Sequence, residues 1–270
     1  MKKVFVEFKE GIAINVDAQN AIDGFEYRDY DIIPFENKDV MMGKLNKHAR
    51  EHPFVGSLNT MGVLFKKILR YPDEINFPRS VLNSELISRN IYQTSLKEFK
   101  NQFRIDDKPK FIKSVKPKLI HGREISSYFD FHMIYADDCQ IWVSDPLDII
   151  SEYRCHIHNR KLVYCSNYDG DFRVSPDFSY IDKLIQSYDN PPLAYTIDVA
   201  VLADGTTTVV EFNDYWAIGS YGLDSIKYSQ MLSDRYSEII QDISNSVNSD
   251  KVKTYKLKCN INSYYKRKNK

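Results

Sequence analysis

The stretch TIDVAVLADGTTTVVEFND, residues 196–214, constrains the fold more than any other part of this 270-residue chain. Two runs rich in β-branched residues flank Asp204-Gly205, a dipeptide that readily takes the positive φ of a tight hairpin turn. The pattern predicts two adjacent antiparallel strands. Alternation puts Ile197, Val199 and Val201 on one side of the first strand and Asp198 on the other, while on the second strand Val210 and Phe212 oppose Glu211 and Asn213. Side chains two apart on a strand share a face about 7 Å apart, and Asp198 reaches the same face across the turn. Such a trio of oxygen-bearing side chains is the donor set a hard cation takes. The same pattern also describes ordinary ion pairs on a solvated sheet face.

Three other stretches carry polar groups in suggestive places. In ISEYRCHIHNRKL, residues 150–162, alternation sets Glu152, Arg154, His156 and His158 on one face and Tyr153, Cys155 and Ile157 on the other. A guanidinium in such a position clamps phosphate or carboxylate with paired hydrogen bonds. Zinc at the Cys-His-Ile-His run is disfavoured, because Cys155 faces away from His156 and the four cysteines form no CxxC pair. In KFIKSVKPKLIHGRE, residues 110–124, Lys113 lies in an expected strand and Lys118 follows Pro117, with Gly122 beyond. Lysines so placed neutralise nucleotide phosphates or simply solvate a turn; the G-x-x-x-x-G-K-[ST] motif is absent. In QIWVSDPLDI, residues 140–149, Trp142, Val143 and Ser144 run into a turn beside an indole, an arrangement suited to a purine edge or to core packing.

The organisation reads as an α/β lobe over residues 1–90 followed by an α+β body over 91–250. Strands are expected at KVFVEF and YDIIPF, a helical stretch near 38–49, and helices at LNTMGVLFKKIL and SLKEFKNQF. Further strands are expected at KFIKSV, FHMIYA, QIWVS, ISEYRCHIH, KLVYCSNY, AYTIDVAVLA and TTTVVEFN, and a last helix from Tyr228 to Ile240. Residues 251–270 form a basic tail with eight Lys or Arg and no acid. Lys plus Arg and Asp plus Glu both number 37, so no bulk field attracts nucleic acid or acidic lipid. No signal peptide or membrane-length apolar run is evident, and a cytoplasmic protein is expected.

Taken in order, the lysine strand, the second lysine near a glycine, WVS-P, SEYR, DVA…DG…VVEFND and GSYG resemble the ATP-grasp superfamily. The likeness spans about residues 108–224 and is narrower still to the phage and bacterial clade predicted to include peptide- or protein-modifying ligases. It implies two α+β lobes clasping ATP and Mg2+, preceded by a small pre-ATP-grasp lobe. By position, Lys113 and Lys118 match the nucleotide-binding lysines, and Trp142, Val143 and Ser144 the hinge that reads adenine through its backbone. Asp198, Glu211 and Asn213 match the magnesium ligands, and Arg154, with Lys118, the catalytic basic residues. The segment from Trp216 to Gly222 would line the acceptor side. The implied reaction joins a carboxylate to an amine through an acyl phosphate, on a small molecule, a peptide or a protein.

Two rivals remain open at this level. One is a magnesium nuclease, for which the third position of the Glu-x-Lys pattern is Asn213 instead of lysine. The other is a nucleotide-binding regulatory module without turnover, using the basic tail for a partner.

Overall fold

The computed structural model describes residues 2–68, 72, 75–104, 107–116 and 119–241. Lys118 and the basic tail lie outside them. The chain forms two compact units, one made of residues up to 72 together with those from 215, the other of residues 73–214.

The first unit begins with β1 (Lys2–Lys9), β2 (Ile12–Ala13), α1 (Val16–Tyr27) and β3 (Tyr30–Phe35). β1 pairs in parallel with β3, Val4 facing Ile32, so α1 is the crossover of a β-α-β unit. Asn15 caps α1 by accepting from the Ala18 N–H at 2.8 Å, and Ala18, Ala21, Ile22 and Phe25 form its buried stripe. α2 (Asn37–Met41) and a 3-10 turn (His48–Arg50) replace the single helical stretch expected near 38–49. Gly43, at φ +72, interrupts it. β4 (Phe54–Val55) adds to the other edge of β1 and α3 (Leu58–Ile68) follows.

The second unit holds α4 (Arg79–Leu82), β5 (Ile91–Ser95), α5 (Leu96–Gln102), β6 (Lys110–Ser114), β7 (Arg123–Ile125), β8 (Gln140–Ser144), β9 (Ile149–His158), β10 (Lys161–Gly170), α6 (Phe178–Ser187), β11 (Ala194–Leu202) and β12 (Thr207–Asp214). These strands make two four-stranded antiparallel sheets, in the orders β5-β8-β6-β7 and β10-β9-β11-β12. The first half of the expected FHMIYA strand, residues 131–133, belongs instead to a 3-10 turn over Tyr128–Met133. Asp130 accepts from the Ser126 and Ser127 N–H groups at 2.8 Å each, closing the turn before a strand can start.

α6 covers one face of the second sheet. Its Ile181, Leu184 and Ile185 pack in one buried cluster with Tyr153, Cys155, Ile157, Ile197 and Val199, the residues expected on the apolar side of β9 and β11. On β12 a bulge corrects the expected alternation. Asp198 pairs with Glu211 but Val199 pairs with Val209, so Val209 joins the core and Val210 turns to the same cavity as Glu211.

The chain then returns to the first unit. Trp216 meets Phe65 edge-on at 5.4 Å in that unit's core, which overturns its expected place on an acceptor surface. α7, residues 225–241, starts at Asp224, whose carboxylate accepts from the Lys227 N–H at 2.9 Å. It presses on α1 at Gly24, where an added Cβ would stand 1.8 Å from the Ser225 carbonyl oxygen. Gly24→Ala therefore overpacks this crossing and is expected to lower stability by about 1–3 kcal/mol. Urea unfolding checks this by a reduced midpoint at unchanged slope; an unaltered midpoint contradicts the packing account.

Candidate functional site

The polar face of the second sheet is built from strands that run side by side. β9 and β11 pair with Arg154 opposite Asp198, and β11 and β12 with Asp198 opposite Glu211. Arg154 Nε and one terminal nitrogen donate to the two Asp198 oxygens at 2.9 and 2.6 Å. Asp198 is 1% exposed and Arg154 7%. The solvated-face reading of these residues is thereby overturned. Burial pushes the Asp198 carboxyl up to about 6 against the opposing pull of Arg154, so it is ionised at neutral pH. The guanidinium also lies over the Tyr168 ring at 5.6 Å.

Asn213 joins the expected acids. Its Nδ2 donates to Glu211 Oε1 at 3.0 Å and to Asp198 Oδ2 at 3.4 Å. Lys113, on β6 of the other sheet, donates to Glu211 Oε2 at 2.5 Å and stands 5.5 Å over the Phe77 ring. Burial pushes the Glu211 carboxyl up, but the Lys113 charge and the hydrogen bonds from Lys113 and Asn213 outweigh it and hold it below the usual carboxylate range. The structure thus gathers Lys113, Arg154, Asp198, Glu211 and Asn213 into one chain of contacts across two sheets.

A cavity of about 360 Å³ opens within this unit, with Lys113, Trp142, Ser144, Glu152, Tyr168 and Glu211 in its wall. Gly122 also lines it, and a Cβ there would come within 2.5 Å of the tip of the Phe111 ring and displace it. Glu152 has its carboxyl raised by burial. Val143 does not reach the cavity: it is fully buried with Ile112, Ile125 and Ile141 on the other side of its strand. Residues 142–144 are flanked by β5 on one side and β6 on the other, so sheet pairing engages the backbone that the resemblance assigned to adenine. The next residues, Asp145, Pro146 and Leu147, line the same cavity past the end of β8.

Arg89 is a lining residue that sequence reasoning missed, and its setting in LISRNIY gives no pattern to find it. It donates to the Val209 carbonyl at 2.6 Å and to Thr208 Oγ1 at 3.2 Å, and burial lowers it to about 10. Its Nε–H and the Trp142 indole N–H are buried with no acceptor among the described residues. Two unmet donors on residues lining one cavity are unusual for a folded protein. The expected donor set also fits magnesium, since two carboxylates and one amide supply hard oxygens; Asp198, Glu211 and Asn213 would each have to exchange present contacts to offer theirs.

Removing the Arg154 guanidinium leaves Asp198 buried without its main partner. Arg154→Met is expected to cost about 3–5 kcal/mol at pH 7.5. The Asp198 carboxyl is raised to about 6 in the folded native protein and losing Arg154 raises it further, so the extra cost to the variant belongs to the ionised form and grows as pH rises through about 6. The gap between native and variant should narrow as pH falls toward 4, and a pH-independent gap in chemical denaturation would contradict this.

Comparison with known proteins adds the family. Residues 86–231 match the ATP-grasp domain, R2K clade family 2. No curated protein sequence matches the chain. Solved structures of similar fold include L-amino acid ligase from Bacillus licheniformis, at 10% identity and TM-score 0.55, covering 87% of this chain and 75% of that one. They include D-cycloserine synthetase DcsG at 10% and 0.53, covering 86% and 99%. N5-carboxyaminoimidazole synthetase from Staphylococcus aureus aligns at 10% and 0.51, covering 87% and 77%. At such identities the likeness establishes the fold, and the α+β ATP-grasp architecture expected from sequence is the one found. No helix among the described residues is long and apolar enough to cross a membrane.

Proposed function

The chain belongs to the R2K clade family 2 of ATP-grasp domains, and from that premise we propose that it is an ATP-dependent carbon–nitrogen ligase that joins a carboxylate to an amine through an acyl phosphate, with a peptide or protein supplying one partner. The observation that carries the proposal is the cavity of the second unit, where a lysine and a carboxylate face each other beside two unmet buried donors. A nucleotide offers acceptors for such donors and charge for such a lysine.

In this reading Lys113 leaves Glu211 for the ATP phosphates. Glu211, Asn213 and Asp198 would hold magnesium, which would supply positive charge to neutralise the phosphates. Asp198 fixes the plane of the Arg154 guanidinium toward the transferred phosphate. The backbone of residues 145–147 reads the adenine edge, in place of 142–144. Lys118 is proposed to assist at the phosphates. The acceptor carboxylate oxygen attacks the terminal phosphorus and ADP departs; the amine then attacks the acyl carbon, the bond to the phosphate oxygen breaks, and the amine gives up a proton. Positioning and charge neutralisation carry such a reaction without a Ser or Cys nucleophile. Membership of an ATP-grasp family favours this reading over the magnesium nuclease.

The test is ADP release from magnesium-ATP with a panel of amino acids, dipeptides and longer peptides, followed by 18O-labelling of the active carboxylate. Label passing into inorganic phosphate, and a loss of about 100-fold in turnover for Lys113→Ala, are the expected results. ADP release that no carboxylate–amine pair stimulates, or label that stays in the carboxylate, would contradict the proposal.

A further inference from the structure

The first unit carries a chemistry that the ligase reading does not use. Residues 48–52, HAREH, place two histidines and a glutamate on one turn. The Ala49 N–H bonds the Leu45 carbonyl and the His52 N–H bonds the His48 carbonyl, both at 2.9 Å. These i to i+4 bonds bring His48 and His52 to the same side. One ligating atom from each of His48, Glu51 and His52 lies within 4.8 Å of the others.

The turn is fixed from below. Ala49 is fully buried, its carbonyl accepting from the Tyr236 hydroxyl at 2.6 Å, and Arg50 donates to the Ile68 carbonyl at 2.9 Å. The two imidazoles lean on one ring: Phe5 stacks with His48 at 5.2 Å and with His52 at 5.9 Å. Phe5 is itself immobilised, 4% exposed and stacked on Phe54 at 4.6 Å with planes 2° apart. Much of the entropy that a surface histidine pair would lose on gripping an ion is already spent by this packing.

We propose that His48, Glu51 and His52 bind a divalent transition metal of the zinc class, with solvent completing the coordination. Two imidazole nitrogens and one carboxylate form a set suited to zinc, and magnesium prefers oxygen ligands alone. Ligands about 2.0–2.1 Å from a tetrahedral ion stand about 3.4 Å apart, so three atoms already within 4.8 Å of one another need at most a small adjustment. The exposed Glu51 side chain supplies the adjustment by rotation. The set shares no residue with the nucleotide cavity, so the two metal preferences are separable by chemistry.

The experiment is calorimetric titration of the full chain with zinc chloride in magnesium-free buffer, for the native protein and for His48→Ala, His52→Ala and Glu51→Gln. The expected result is one equivalent bound by the native protein and weakened at least about tenfold by each histidine change. Cobalt(II) in place of zinc should give intense visible absorption for the native chain and not for His52→Ala. Zinc bound equally well by all four proteins would assign it to the cysteines, and no binding by the native protein at micromolar zinc would exclude the site; either overturns the proposal. Should a histidine variant not fold, the exposed Glu51→Gln carries the comparison.

Discussion

The buried pair of Arg154 and Asp198 is the constraint on which the polar face of the second unit depends. Taking both charges out of water is costly, and only a two-point hydrogen bond between directly opposed residues of neighbouring strands offsets that cost. That requirement fixes the register of β9 against β11. A slip of one residue would turn Arg154 into the apolar cluster under α6 and leave Asp198 without a partner. The register in turn sets where β12 must bring Glu211 and Asn213.

A second charge pair, Lys113 with Glu211, joins the two sheets of this unit across the cavity. It differs from the first in being partly accessible, with side chains 16% and 27% exposed. A pair of this kind holds its shape in the absence of ligand yet separates at modest cost when a more strongly charged group arrives. The same unit therefore contains one ion pair shielded from solvent and one partly open to it.

The hairpin at 196–214 was legible because a strong turn dipeptide and β-branched alternation coincide there. The one error inside it, the side taken by Val210, came from a bulge that no local pattern announces. α1 escaped notice because half its stripe is alanine, a small apolar signal, and it contains Gly24, whose value lies in the close approach of α7 and not in helix propensity. α6 and β5 were also missed; the apolar stripe of α6 makes sense only against β9 and β11. Among candidate site residues, Lys113, Arg154, Asp198, Glu211 and Asn213 were readable because strand periodicity assigns faces. Val143 turns away from the cavity that Trp142 and Ser144 line, and only the sheet order shows that β8 has a neighbour on each side. Arg89 reaches the cavity from a segment with no periodic signature at all.

The central claim is that Glu211 links a metal to a nucleotide held in the second unit. Thermal unfolding of the native protein and of Glu211→Gln, each with ATP, with and without magnesium, tests it most directly. A ligand at about 100 times its dissociation constant stabilises a folded protein by roughly 2.7 kcal/mol. The account predicts a magnesium-dependent rise in Tm for the native chain that shrinks in the variant; no rise in the native chain, or an equal rise in both, would contradict it.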